Sequence, residues 1–297
     1  MIQKVGIIGL GAIGILYAVK MTEKLGKDNV FIIADQNRIE KYRNEGIYAN
    51  GKRCDFNYVV DKEAPAVDLL LFATKFYGLE AAIESARKAC SPDTIVMACI
   101  NGVTAEEVVK EKLNPNHLLY CTIQGMDATK EGNQMFFENV GSITFGEKDN
   151  TVSDSVKLVK AFLDDIGIPS LIPENILKQL WSKWMLNVGV NQTCAVYGVG
   201  YGGVQKNGPY RKIFVDAMEE ARSIAKAEGI ILSEEEMMAW ADLMDRLSPI
   251  GEPSMRQDKK AGRQTEVELF SGLVCKLGKK YGIQTPINEM YYNLLNE

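Results

Sequence analysis

Residues 4–14 read KVGIIGLGAIG. An apolar run leads directly into Gly9, Gly11 and Gly14, and an amphipathic stretch from Ala12 to Leu25 follows. The arrangement predicts a strand, a glycine loop and a helix, in that order. Gly9 permits a tight turn, Gly11 lets a pyrophosphate approach the backbone, and Gly14 allows the helix to pack closely on the sheet. The first helical residues, Ala12 and Ile13, then present unpaired amide donors to phosphate charge. This context predicts a dinucleotide-binding loop rather than an ordinary glycine-rich turn. The same spacing recurs in GVGYGG at 198–203, but there it follows a helical pattern, so an inter-helix loop is expected.

Working outward, NVFIIAD is the next strand, followed by a charged helix around Arg38 to Glu45. VDLLLFAT and TIVMACI are further strands, separated by the helical spacing of GLEAAIESARKAC, and HLLYCTI and GSITFGE extend the sheet. Continuous apolar strands alternating with helices indicate a parallel sheet covered on both faces. From Pro173 the pattern becomes helical, with segments at 175–197, 206–228, 233–246, 254–261, 265–281 and 287–295. The expected fold is therefore α/β: an N-terminal Rossmann-type domain over 1–172, then an all-helical domain over 173–297.

The 297 residues are 46% apolar and carry a net charge of −5, without a basic block, so nucleic acid is not an expected partner. Six scattered cysteines fit reduced thiols in a cytoplasmic protein. The N-terminal segment lacks the charged leader and apolar core of a signal peptide, and no apolar run suits a membrane span.

Asp35 ends the second strand, about 20 residues past the loop, where an acid binds the adenosine ribose hydroxyls. A carboxylate there repels a 2′-phosphate and favours NAD(H) over NADP(H), while Arg38 softens that preference. Lys75 and Asn101 close the next two strands, at the edge where such folds bind ligands.

In WSKWMLNVGVNQT, residues 181–193, Lys183, Asn187 and Asn191 recur at every fourth position among apolar neighbours. That spacing forms one stripe on a helix. Asparagine is a poor helix former, so such a stripe points to a lined cavity rather than a solvated face. Further on, PSMRQDKKAGRQTE offers Ser254 with Gln257 and Thr265 with Glu268 as two helix-capping pairs. Glu266 is then expected in the first turn of the second helix, so pattern alone makes Ser254 and Glu266 structural.

The glycine loop, ATK with Lys75, NG with Asn101, LWSKWMLNVGVNQTCA, PSMRQDKKAGRQTE and TPINEMYYNLL occur in this order. Together they make the chain similar, over essentially its whole length, to the ketopantoate reductase (2-dehydropantoate 2-reductase) family. The resemblance implies an active site between the two domains, with Lys183 as general acid and Glu266 hydrogen-bonded to active-site groups. It further implies Asn187 and Asn191 holding the substrate, Ser254 its carboxylate, and Asn101 and Lys75 lining the cofactor side. One departure stands out: similar proteins carry a basic residue where this chain has Asp35.

The implied reaction is NAD(P)H-dependent reduction of a 2-oxo acid, 2-dehydropantoate to pantoate first. An NADH-dependent D-2-hydroxyacid dehydrogenase acting on branched or aromatic 2-oxo acids is the alternative. A 3-hydroxyacid dehydrogenase also pairs a Rossmann domain with a helical lysine and asparagine. A non-catalytic NAD(P) sensor needs no lysine–asparagine–glutamate set. The single histidine, His117, is expected at the surface, and no metal site is expected. The helical domain suits either a monomer or a homodimer.

Overall fold

The computed structural model describes residues 1–296, in two compact units, Met1–Ile176 and Leu177 onward. The first unit begins with β1 (Val5–Ile8), α1 (Ala12–Leu25), β2 (Val30–Ala34) and α2 (Gln36–Glu45). Three short strands follow: β3 (Tyr48–Ala49), β4 (Lys52–Arg53) and β5 (Asn57–Val60). Next come β6 (Leu69–Phe72), α3 (Leu79–Ala86), β7 (Ile95–Ala98), α4 (Ala105–Lys112) and β8 (His117–Met126). The unit closes with β9 (Thr129–Glu131), β10 (Gln134–Phe136), β11 (Val140–Gly146), α5 (Asp154–Asp165) and β12 (Ser170–Leu171).

Eight strands form the main sheet in the order β12-β11-β8-β7-β6-β1-β2-β5. Within it β11 runs antiparallel to β8, and every other pairing is parallel. β1, β2, β6 and β7 are buried along their whole length, as strands covered on both faces must be. One face packs Val5, Ile7, Leu71 and Met97 against Ile15 and Leu16 of α1 and Val159 and Phe162 of α5. α3 and α4 lie outside that cluster and contact β6, β7 and β8.

The strand order reverses beside β1: the chain passes from β1 out to β2 and β5, then returns to place β6 on the other side. Such a switch point opens a crevice at the carboxyl ends of the strands. The glycine loop and the segment after β6 are its two walls. A second sheet, in the order β4-β3-β10-β9, was not foreseen, because strands of two or three residues carry no readable period.

The second unit is helical. It contains nearly all of α6 (Ile176–Tyr197), then α7 (Arg211–Ala227), α8 (Glu234–Met244), α9 (Ser254–Lys260), α10 (Ser271–Tyr281) and α11 (Pro286–Asn296). α7 begins five residues later than expected from the sequence, since Gly208 and Pro209 hold the preceding stretch in turns. The expected helix over 265–281 is divided: a 3-10 turn occupies Val267–Leu269 before α10 begins. GVGYGG is a loop after α6, as its helical context required. No helix among the described residues is long and apolar enough to cross a membrane.

α6 is buried on most sides, and Gly189 explains how α7 comes so near. A Cβ at Gly189 would stand 2.6 Å from Met218 Cγ and 2.8 Å from a ring carbon of Phe214. Both neighbours are fully buried and cannot swing away. We expect Gly189→Ala to lower stability by roughly 1–3 kcal/mol, the usual cost of overpacking, read as a lower urea midpoint at unchanged slope.

Candidate active site

The residues singled out in the sequence form two groups, one in each unit. In the first unit the group is a cradle at the switch point. Gly9 has φ +99, and a Cβ there would lie 2.7 Å from Ala73 O, so only glycine lets the two walls meet. Gly14 faces backward: a Cβ would fall 1.9 Å from Gly9 O. Gly11 is the N-cap of α1, and a Cβ there would meet only Ala73 O, at 3.6 Å, so space remains beside it. The amides of Ala12 and Ile13 open α1 and have no partner within the helix.

Thr74, unremarked in the sequence, stands in the opposite wall with its Oγ1 buried and without a hydrogen-bond partner among the described residues. An orphaned hydroxyl beside an open backbone cradle fits a ligand rich in acceptor oxygens. The residues present therefore suit the pyrophosphate of a dinucleotide. Its neighbour Lys75 heads the 3-10 turn Phe76–Gly78 that follows β6. Asn101 lies three residues past the end of β7, in the loop leading to α4, and both side chains are half-buried.

Asp35 is the N-cap of α2. One carboxylate oxygen accepts the Arg38 backbone N–H at 2.9 Å, and the other lies 3.4 Å from Arg38 Nε. Asp35 thus has a structural task, and the side chain of Arg38 is turned back onto it. Both remain exposed.

The second group is built on α6. Asn187 and Asn191 are 8% and 5% exposed, while Lys183 is half-buried. Asn191 Nδ2 donates to Asn187 Oδ1 at 3.1 Å. Asn191 Oδ1 in turn accepts Ser254 Oγ at 3.3 Å and the Met255 N–H at 3.2 Å. The stripe is therefore a chain of amides leading to the first turn of α9.

This geometry corrects the expected capping pair. Ser254 does not cap its own helix: Pro253 occupies the N-cap position, and Gln257 donates its side-chain amide to Glu252 O. The second pair also fails to form, because Glu268 Oε1 accepts the Tyr292 hydroxyl at 2.7 Å. Glu266 heads the 3-10 turn instead of sitting inside a helix, and it is only 7% exposed. His117 is half-buried rather than at the surface, with Nδ1 3.1 Å from Ser155 Oγ.

Two further α6 residues hold the Glu266 segment in place. Trp184, next to Lys183, donates from Nε1 to Leu269 O at 2.7 Å. Gln192 Oε1 accepts the Ser271 N–H at 2.9 Å. The loop before Ser254 is held equally closely. Tyr201 and Gly202 donate their N–H groups to Gly251 O and Pro249 O, both at 2.8 Å. A Cβ at Gly200 would stand 2.8 Å from both of those oxygens. The glycines of GVGYGG thus serve close backbone contact between two loops.

The ketopantoate reductase PanE/ApbA family model matches residues 5–150, and its C-terminal counterpart matches residues 175–297. The chain belongs to the ketopantoate reductase family. It is accordingly an NAD(P)-dependent oxidoreductase of the type that acts on a CH–OH group. A 2-dehydropantoate 2-reductase from Aquifex aeolicus is 24% identical, the match covering 97% of this chain and 94% of that one. Among solved structures, a D-mandelate dehydrogenase with NADH and anilino(oxo)acetate superposes with a TM-score of 0.88 at 23% identity, covering 99% and 97% of the two chains. A dimeric ketopantoate reductase from Staphylococcus aureus gives 0.79 at 18% identity, covering 99% and 97%.

Asn191 yields a direct test. Asn191→Ala removes the acceptor shared by Ser254 and Met255 and leaves a buried amide unsatisfied, at a cost of about 1–3 kcal/mol. Hydrogen exchange should show lost protection at the Met255 amide, with the core of β6 and β7 unchanged.

Proposed function

We propose that the chain reduces a 2-oxo acid to the corresponding 2-hydroxy acid, with 2-dehydropantoate as substrate and pantoate as product. The observation that carries this reading is the amide stripe of α6. A half-buried ammonium, two buried amides, a serine hydroxyl and a buried carboxylate are gathered around one helix. A small polar anion with a carbonyl matches the ammonium, amide and hydroxyl donors of that set. The names of the curated relatives point to the same substrate.

NAD(P)H, when bound, supplies the hydride. The chain's own residues do the rest. Gly9, Gly11, Gly14, Ala12 and Ile13 hold the pyrophosphate, while Lys75 and Asn101 line the cofactor side. Lys183 stabilises the negative charge developing on the carbonyl oxygen and donates the proton from Nζ. Glu266 orients the polar groups around Lys183. Asn187 and Asn191 hold the substrate's polar substituents, and Ser254 binds its carboxylate.

A second reading has its own observations in favour. Asp35 follows β2, where the motif spacing expects the ribose-binding acid, and a carboxylate there would repel a 2′-phosphate; the D-mandelate dehydrogenase structure contains NADH. An NADH-dependent D-2-hydroxyacid dehydrogenase acting on branched or aromatic 2-oxo acids is therefore the alternative. Initial rates with NADH and NADPH against ketopantoate, 2-oxoisocaproate and phenylglyoxylate separate the two. No turnover of any of them would overturn both. A homodimer is the assembly proposed, to be checked by sedimentation velocity.

Two substitutions test the assignments. Lys183→Ala should lower kcat by roughly 10²–10⁴-fold, as expected for a lost general acid, and a variant with near-normal kcat would remove Lys183 from that role. Asp35→Asn keeps a helix cap but removes the charge. It should shift the ratio of kcat/KM for NADPH over NADH upward by roughly tenfold, and an unchanged ratio would exclude Asp35 as the discriminating group.

A further inference from the structure

We propose that Glu106 is a positioning residue for the cofactor edge: its buried carboxyl joins the first turn of α4 to β8 and thereby holds the loop that carries Asn101. The proposal rests on the reading of Asn101 as a cofactor-side residue.

β7 ends at Ala98 whereas β8 runs on to Met126, and the last paired residues are Met97 and Leu119. Past that point a β8 amide facing β7 has lost its strand partner. Cys121, two residues beyond, donates its N–H to Glu106 Oε1 at 3.4 Å. Glu106 is 1% exposed, so a carboxyl fills the place of the missing strand. The loop between β7 and α4 runs from Cys99 to Thr104. Thr104 occupies the N-cap position of α4 without a side-chain hydrogen bond, and Gly102 has φ +109. Glu107 adds a second tie, accepting Tyr120 Oη at 2.7 Å and Lys148 Nζ at 2.6 Å.

The charges around Glu106 are unfavourable to its anion. From its own helix it faces the Glu107 carboxylate, and from β8 it faces Tyr120 and Cys121. Lys148 binds Glu107 instead. The thiols of Cys99 and Cys121 belong to the cluster with Tyr17 on the α1 face. Burial, with Glu107 adding to it, pushes the Glu106 carboxyl up to about 8, against the pull of the backbone amides. The carboxyl is neutral at pH 7 and gains a charge just above. A buried anion there would have to rehydrate, loosening the tie.

The folded chain keeps a proton on Glu106 that the unfolded chain has released. The stabilising effect of that proton is complete at acid pH, declines from about pH 5 to about 8, and changes no further above. Cofactor affinity, by contrast, changes only where the folded carboxyl itself ionises, near pH 8 and above.

The test compares wild type with Glu106→Gln and Glu106→Ala. Glutamine keeps an oxygen for the Cys121 amide but cannot ionise. Dissociation constants for NADH and NADPH are measured by fluorescence titration from pH 6 to 9.5, and urea unfolding is followed over pH 5 to 9. In the wild type, Kd should rise above pH 8 by up to about tenfold per pH unit, and the glutamine variant should lack that rise. The unfolding constants of wild type and glutamine variant should diverge by about tenfold per pH unit between pH 5 and 8 only. The alanine variant should bind more weakly than the glutamine variant at every pH. A rise shared by the glutamine variant, or alanine binding as tight as wild type throughout, overturns the proposal alone. Wild type that binds neither dinucleotide overturns the reading of the first unit, and this proposal with it.

Discussion

The interior of the second unit depends on satisfying the polar side chains of α6. Asn187, Asn191, Gln192 and Thr193 are all buried on that one helix. A buried polar group left unpaired costs about 1–3 kcal/mol, so four such groups would remove much of a domain's margin. Asn187 accepts from Asn191 on the same helix, and the other three find partners elsewhere in the unit. Asn191 reaches Ser254 and Met255, Gln192 reaches Ser271 and Asn288, and Thr193 meets Tyr291 at 2.7 Å. The hydrogen bonds that make burial tolerable also place the segments bearing Ser254 and Glu266. Stability and site geometry are here the same set of contacts.

The first unit obeys a different constraint, set by backbone approach. At the switch point the turn after β1 and the turn after β6 touch through Gly9 and Ala73, with Gly14 closing the space behind. Nothing but hydrogen fits at either glycine, so the amides that open α1 remain uncovered. The cradle is shaped by what is missing there, whereas the group on α6 is shaped by what is present. Glu106 belongs to the second kind: a polar side chain set where a strand has stopped.

Much of this was legible in the sequence, and the exceptions have separate causes. β1, β2, β6 and β7 were readable because strands covered on both faces are apolar throughout. β5 was not: NYVV is half-buried at the sheet edge and has no strong pattern. α4 was also missed, since AEEVVKEK reads as charged surface until Glu106 is known to be buried. α5 carried a visible signal, Ser153 capping an amphipathic run, that was overlooked. In the site, the spacing of Lys183, Asn187 and Asn191 was plain from one helix. Ser254 and Glu266 read locally as caps because their true contacts come from residues far along the chain. Asn191 is 63 positions from Ser254, and no local rule sees that distance. Trp184 was passed over for the same reason, its partner Leu269 lying 85 positions away.

The paired glycine loop has an implication for how this chain can diversify. Because the backbones of 200–202 and 249–251 lie in direct contact, neither strip can acquire bulk on its own. A change of length or size on one side would demand a matching change on the other. Inherited variation is therefore channelled away from this seam, toward positions whose side chains face open space. Ile250, 89% exposed at the tip between the two anchored carbonyls, is such a position: free to mutate while its scaffold is not.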